Sequence, residues 1–438
     1  MNDVVLLVDN ERRSLSTHEL RSAVLGELHA RPFTPISVSS RILHFAFDTS
    51  EGRAQTDRVN LAELCSKHGV TLPSLEERYH RVQLGTTALR WEQHSEFTTY
   101  TWEIPSDVDV EPFSPRAESL AAVMGLVPQP GPLLVALDLH LLPEQQDRPA
   151  PQLLFDRASL AMAENSDGKA VYATDFQPDS CGFVRVLVID RGLDRERAGA
   201  LVQRVIEVET YRTFALLGLP EAHRLAPTVG LIEKRLAEVM DEMRGAKDIA
   251  SNRQLLNELT EMAAEVEAGA AASGFRFGAS RAYEEIVAQR LQTIGERKLS
   301  GFPTWSSFLA RRMAPAMRTC ITLDARQGNL SVKLSRAADL LRTRVDVELE
   351  QQNQELLQSM NARTRLQLRL QTTVEGLSVA AITYYVVGLF AYFVKAAHDS
   401  GRVSIEPNYM IAGFVPVATI MIWSIVRRIR RKHVSDEG

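Results

Sequence analysis

The spacing of apolar residues changes along the chain, and each pattern predicts a different kind of structure. Between residues 34 and 190, short runs alternate apolar and polar side chains; in one of them Tyr100, Trp102 and Ile104 alternate with polar neighbours. This alternation is typical of half-buried antiparallel strands. We predict a short helix at Arg53–His68 and strands at Ile36–Phe47, Tyr79–Leu84, Thr87–Gln93, Glu96–Ile104, Leu133–Leu142, Ala170–Phe176 and Phe183–Ile189.

The connections between these strands are too short for repeated βαβ units, so we predict an α+β fold on a mainly antiparallel sheet with helices. From about Asp194 onward, apolar residues recur at helical spacing. The predicted helices are Arg195–Leu217, a helix marked by Leu231 to Met243, one marked by Leu255 to Val266 that stops near Gly274, and then Ala282–Ile294 and Trp305–Met317.

A long helix is predicted next, because residues 329–371 contain neither proline nor glycine. Its interrupted apolar stripe must pack on the N-terminal domain, on other helices or on copies of itself. A coiled coil is therefore one form that this stalk helix could take, and it makes an oligomer an expectation.

Two uncharged runs follow the long helix, Leu377–Val394 and Tyr409–Val426. Eighteen residues of α-helix extend roughly 27 Å, which is just enough to cross the hydrocarbon core of a bilayer. Two such runs in succession, joined by a polar segment, predict a transmembrane hairpin. Neither run carries an acidic, basic or histidine side chain, which disfavours a proton relay or a charged-substrate path.

The charges that flank the two runs predict their orientation. Three arginines precede the first run, and the second is followed by Arg427, Arg428, Arg430, Arg431 and Lys432. By the positive-inside rule both outer flanks are cytoplasmic. We therefore predict a two-span protein of the inner membrane with both termini in the cytoplasm, and the N-terminus lacks the features of a signal peptide.

These patterns divide the chain into predicted segments. They are a cytoplasmic α+β domain at 1–190, a helical region at 191–328, the stalk helix at 329–376, the transmembrane hairpin at 377–426 (spans 377–394 and 409–426) and a basic cytoplasmic tail at 427–438.

Charge and cysteine content exclude several function classes. The chain has 50 lysines and arginines against 55 acidic residues, a net charge of −5, so a nucleic-acid partner is not expected. The expected partners are the lipid bilayer and further copies of the chain. Cys65, Cys181 and Cys320 are far apart, which disfavours a disulfide framework or a cysteine-only zinc site.

Two groups of residues are candidates for chemistry. His18, Glu27, His29 and Arg31 predict an anion or metal site; the alternative is a buried turn in which Glu27 pairs with Arg31. Glu92, His94 and Glu96 alternate across a turn and predict a metal site, with His80 a possible neighbour; the alternative is a solvated polar face of the sheet.

Catalytic motifs are absent from the sequence: it has no P-loop, G-x-G-x-x-G, H-E-x-x-H or G-x-S-x-G. This favours a non-enzymatic protein, leaves an enzyme open as an alternative, and identifies no cofactor.

Three segments carry a family resemblance. The run Glu27-Leu28-His29-Ala30-Arg31-Pro32-Phe33, with His18 and Arg21 upstream, resembles the opening signature of bacterial domain of unknown function 3422. The segments Trp91–Tyr100 and Val374–Val379 are similar to two further parts of that family. The resemblance covers essentially the whole chain. It implies an uncharacterised cytoplasmic domain with a membrane anchor, and it brings no established activity.

Three functions remain open on the sequence. The first is a membrane-anchored scaffold or regulator that acts as an oligomer. The second is an oligomeric ion channel with a layout similar to CorA-type magnesium channels, although those carry Gly-Met-Asn after the first span, where this chain has Lys395-Ala396-Ala397-His398. The third is a ligand sensor or enzyme that uses the region His29–Arg31.

Overall fold

The computed structural model of the chain forms two compact units, Met1–Asp241 with Glu258–Arg336, and Glu242–Asn257 with Ala337–Gly438. For 4–8, 11–15 and 429–435 it describes the backbone only. The described residues are 4–8, 11–15, 18–21, 24–25, 33–50, 52–74, 77–107, 111–113, 123–146, 148–246, 248–399, 401 and 405–435.

The first unit is built on a sheet of nine strands in the spatial order β11-β8-β9-β10-β7-β3-β6-β5-β4. A separate hairpin pairs β1 (Val4–Val8) with β2 (Glu11–Leu15). The strands of the large sheet are β3 (Ser40–Asp48), β4 (Tyr79–Leu84), β5 (Thr87–Gln93), β6 (Phe97–Pro105), β7 (Leu133–Pro143), β8 (Ala161–Glu164), β9 (Ala170–Thr174), β10 (Val184–Asp190) and β11 (Arg297–Lys298).

Neighbouring strands of this sheet are antiparallel, except β7 and β10, which are parallel. The α+β fold and the mainly antiparallel sheet are therefore confirmed. After β7, the chain forms the antiparallel hairpin of β8 and β9, and β10 then pairs antiparallel with β9. The other edge of β10 lies beside β7, and these two strands run in the same direction. β8 and β11 are too short to show an alternating pattern, so neither strand was predicted from the sequence.

Helices account for most of the remaining described chain. They are α1 (Arg53–Lys67), α2 (Arg195–Ala215), α3 (Gly218–Gly245), α4 (Ile249–Ile294), α5 (Trp305–Arg312), α6 (Ala314–Asp399) and α7 (Pro407–Ser435). Asp194 caps α2, and its carboxylate accepts a hydrogen bond from Arg197 N at 2.7 Å.

Two helices are longer than the sequence predicted. α4 continues through Gly274, since a glycine inside a helix costs only about 1 kcal/mol and the neighbouring Ser273 and Phe277 are buried. α6 begins at Ala314, before the predicted start near Asn329, and runs without interruption into the first uncharged run.

The two faces of the large sheet bury different sets of side chains. One face, called here the helical face, packs on α2, α4 and α5, with Ile42 and Leu139 among the residues in that core. The other, called the α1 face, packs on α1 through residues that include Phe45, Trp91 and Trp102. Because side chains alternate along a strand, β3 and β6 contribute to both cores.

In the second unit, α6 from Ala337 onward and α7 contain the two uncharged runs. The rings of Phe390 and Phe414 stack with centroids 3.9 Å apart, so the two helices contact each other within these runs. Only 11% of the most apolar stretch of each helix is buried. Their apolar side chains therefore face outward, which is unlike the core helices of a soluble protein.

Candidate functional site

A polar cavity of about 260 Å³ lies between the helical face of the sheet and helices α2 and α4. All of its walls belong to the first unit. Strands supply the inner wall with His44, Arg90, Glu92 and Thr99. Helices α2 and α4 supply most of the outer wall, with residues that include Gln203, Arg204, Glu207, Tyr211 and Arg290.

Strand register brings the inner wall together. Arg90 and Glu92 lie two positions apart on β5, so both face the helices. Leu89, before Arg90, and Trp91, between the two, face α1. Arg90 pairs across the sheet with Thr101, which in turn pairs with His44 of β3. One row of polar side chains thus crosses three strands.

The mouth of the cavity depends on a close backbone contact. Residues 34–36 lie against the start of α2, where Ile36 N donates to Arg195 O at 3.0 Å. A Cβ atom at Gly199 would lie 1.9 Å from the carbonyl oxygen of Thr34, so only glycine fits there. This contact positions the half-exposed Phe33 ring at the mouth.

His44 forms a complete hydrogen-bond chain beneath the cavity. The Thr210 hydroxyl donates to Ile206 O, so the hydroxyl oxygen accepts from His44 Nε2 at 2.9 Å, and His44 Nδ1 accepts from the Thr101 hydroxyl at 2.8 Å. Burial, and then the positive charge of Arg90, lowers the pKa of His44 to about 3. His44 is therefore neutral and structural at physiological pH.

Arg90 is only partly matched by protein groups. It is 4% exposed; its Nη1 donates to Gln203 Oε1 at 3.2 Å, and its Nε lies 3.6 Å from Glu92 Oε2. Arg90 Nε and the hydroxyl of Thr99 are buried without a hydrogen-bond partner in the described part of the chain. Such a group costs about 1–3 kcal/mol when it is left unmatched.

The outer wall adds two more arginines. Arg290 forms an ion pair with Glu207, which also accepts a hydrogen bond from Gln203 Nε2 at 3.1 Å. Arg204 lies over the Phe33 ring, 5.1 Å from its centroid. Burial, and then the charge of Arg290, lowers the pKa of Arg204. Three arginines and two glutamates line the cavity, so these five groups leave one positive charge.

Two of the three predicted metal ligands line this cavity. Glu92 and His94 belong to its wall, and the His94 ring stacks on Phe97 at 4.1 Å. Glu96 instead pairs with Arg276 at 2.6 Å and accepts a hydrogen bond from the Tyr283 hydroxyl at 2.6 Å.

The solvated-face alternative is wrong for both glutamates, which are buried. His80, the suggested neighbour, bonds Thr71 O instead. A metal site requires about three histidine, cysteine or acidic side chains close together. The described residues contain no such group, so the structure gives the metal prediction no support.

The other predicted group falls mostly outside the described residues. Glu27, His29 and Arg31 are not described, and their role stays a prediction. His18 is exposed, and its Nδ1 accepts a hydrogen bond from Leu20 N at 3.1 Å.

The three arginines and His44 were not predicted from the sequence. A usable signal existed in the run Leu89-Arg90-Trp91-Glu92, where charged residues occupy one face of a strand whose other face is strongly apolar. The partners Arg204 and Arg290 lie on helices far along the chain, so no local pattern connects them with β5.

A second candidate feature is the pair of apolar stretches of α6 and α7, both of which lie in the second unit. By length and composition, α6 and α7 are the two described helices that could cross a membrane. At the end of the second run, the guanidinium of Arg427 lies 4.8 Å from the Trp423 ring centroid. An arginine beside an aromatic ring is typical of a membrane–water interface.

Comparison with known proteins gives a family without an activity. A family profile described as "Protein of unknown function (DUF3422)" matches residues 16–433. No curated protein matches the chain. The resemblance seen in the sequence is therefore confirmed, and any function has to be argued from the residues.

Proposed function

Since the chain belongs to the DUF3422 family, which supplies no activity, we propose from its own residues that it is a membrane-anchored regulator or scaffold. Two apolar helices anchor it, and the α+β unit meets its partners in the cytoplasm. The observation that carries this proposal is the outward-facing apolar surface of α6 and α7. Residues such as Leu389, Phe393, Ile420 and Met421 are each more than half exposed. Leaving such a surface in water is unfavourable, and a bilayer buries it.

The orientation follows from the flanking charges. Arg363, Arg365 and Arg369 precede the first run, and Arg427 and Arg428 follow the second. The segment between the runs has few positive charges, and acidic residues offset them. We therefore propose that both ends of the hairpin face the cytoplasm at the inner membrane.

Self-association is proposed from the exposed stripe of α6 ahead of the first run. Leu356, Met360, Leu366 and Leu370 are each more than half exposed. Because a helix face of this kind gains stability by packing on a copy of itself, an oligomer buries it without a further partner. A scaffold fits this arrangement better than a channel, since the two runs contain no acidic, basic or histidine side chain to line an ion path.

Membrane fractionation tests the anchor, and fused reporters test its orientation. The full chain should stay in the membrane pellet after an alkaline carbonate wash and dissolve only in detergent. A green fluorescent protein after Gly438 should fluoresce, and alkaline phosphatase inserted between the two runs should be active. Recovery of the full chain in the supernatant would refute the anchor, and the opposite reporter pattern would refute the orientation.

A further inference from the structure

We propose that the polar cavity on the helical face binds a small organic carboxylate, held by Arg90 and Arg204, with its apolar part against the rings of Phe97 and Tyr211. This ligand site goes beyond the proposed anchor and does not depend on it. Neither the family nor the sequence patterns assign a ligand to these residues.

The positive charge of the cavity wall is only partly matched by protein groups, although Glu92 lies 3.6 Å from Arg90 Nε. Arg90 is almost fully buried, and its Nε has no hydrogen-bond partner within the described residues. Arg204 forms no ion pair within the described residues. The carboxylate of Glu207 is already bound by Arg290 and Gln203. An anion in the cavity supplies what the protein wall lacks, because a charged acceptor satisfies a buried arginine better than water does.

The net charge of the cavity wall matches a ligand with a single negative charge. Three arginines and two glutamates leave one positive charge on the wall, and His44 adds none. A carboxylate carries a single negative charge and presents two oxygens that match the planar fork of a guanidinium. A phosphate carries more charge than the wall offers, so it fits the site less well.

Aromatic rings in the cavity wall can pack against the apolar part of the ligand. Phe97 is 1% exposed and stacks on the ring of Phe214, and the edge of Tyr211 lies beside it. The rings of Phe97 and Tyr211 give the cavity apolar surface beside its charged groups. A volume of about 260 Å³ is below the range of drug-sized pockets, which selects a small acid over a nucleotide.

The route for the ligand is the mouth formed by Phe33, Arg204, Arg290 and Thr293, all of which are partly or fully exposed. The inner residues His44, Arg90 and Thr99 are buried. A carboxylate that enters therefore meets Arg204 first and reaches Arg90 at the floor.

Binding to the full chain in detergent micelles tests the proposal with three probes of different charge. Isothermal titration calorimetry should show that benzoate binds at least tenfold more tightly than benzamide, its neutral counterpart of the same shape, and more tightly than inorganic phosphate. Equal affinity for benzoate and benzamide, no binding of benzoate up to 10 mM, or tighter binding of phosphate would each overturn the proposal.

A matched pair of variants locates the site. Arg204→Gln should weaken benzoate binding about tenfold or more, since a charge-assisted hydrogen bond contributes at least about one power of ten in affinity. Arg197→Gln, on the same helix but on the exposed surface, should leave the dissociation constant within about twofold. An equal effect of the two variants would contradict the assignment. The wild-type comparison of benzoate with benzamide stands even where a variant folds poorly.

Discussion

Strands β5 and β6 contact buried polar groups on both faces of the sheet. The groups on the two faces differ in how completely they are hydrogen-bonded. On the α1 face, the fully buried Asp57 carboxylate accepts hydrogen bonds from the Tyr100 hydroxyl at 2.6 Å and the Trp91 indole at 2.9 Å. On the helical face, Arg90 Nε and the Thr99 hydroxyl are equally buried and have no such partner in the described residues. The Asp57 network shows how this fold satisfies a buried charge with hydrogen bonds, whereas Arg90 at the cavity is only partly matched.

The difference separates a structural network from a candidate binding site. Buried polar groups are matched in nearly all native proteins, so an unmatched group requires an explanation. On the α1 face the indole N–H of Trp102, both ring nitrogens of His140 and Nε of Arg185 are also buried without a hydrogen-bond partner in the described residues, but none of these residues lines the cavity. On the helical face the unmatched groups adjoin open volume, which makes a ligand the explanation.

Removing the matched carboxylate should have the largest effect on stability. Asp57→Ala leaves the Tyr100 hydroxyl and the Trp91 indole N–H buried without an acceptor, so we expect the free energy of unfolding to fall by about 2–5 kcal/mol. Glu63→Ala, at an exposed position of the same helix, should change it by less than about 0.5 kcal/mol. Urea denaturation of the full chain in micelles measures both. Similar losses would show that the α1 face is not a matched network.

Acidification should weaken the fold through His44. Its pKa falls from 6.5 in the unfolded chain to about 3 in the folded chain, so the neutral ring stabilises the fold above pH 6.5. As the pH drops towards 3, the unfolded chain binds a proton that the folded chain excludes. This group alone should therefore cost about 2 kcal/mol of stability between pH 7 and pH 5.

Comparison of two histidine variants isolates this contribution. His44→Gln should flatten the loss of stability between pH 6.5 and pH 4, whereas His68→Gln, at an exposed position, should leave the slope as in the wild type. The measurement is the unfolding midpoint in urea at each pH. A slope that survives in His44→Gln would assign the acid sensitivity to other groups.

The smallest expected effect compares two threonines on one face of β6. Thr99→Val removes a hydroxyl that has no hydrogen-bond partner among the described residues, so stability should change by less than about 0.5 kcal/mol or rise slightly. Thr101→Val removes the donor to His44 Nδ1 and should cost about 1–3 kcal/mol. Thermal melting of the two variants side by side measures the difference. A larger loss for Thr99→Val would mean that its hydroxyl is matched after all, and would weaken the distinction between the faces.

Much of the sheet could be predicted because its signals are local. The alternation in β4, β5 and β6 gave their positions to within a residue, and the apolar spacing after Asp194 gave α2. The continuous helices α4 and α6 could not be predicted. Whether a helix passes a glycine such as Gly274 depends on packing against distant segments, which the local sequence does not contain.

The candidate site was predicted only in part, for the same reason. Glu92 and His94 stood out because their types and spacing suit chemistry, and both line the cavity. Their companions Arg204 and Arg290 come from helices more than a hundred residues later. The choice of Glu96 as a metal ligand overlooked Arg276 and Tyr283, which satisfy its carboxylate across a similar separation.

Hydrogen–deuterium exchange of the full chain in micelles, with and without benzoate, tests most directly whether the helical face is the binding face. With saturating benzoate, amide exchange should slow in peptides that cover β5, β6 and α2, and it should stay unchanged in peptides that cover α1. Benzamide at the same concentration should produce neither effect. Unchanged exchange in α2, or equal protection by benzamide, would contradict a carboxylate site in the cavity.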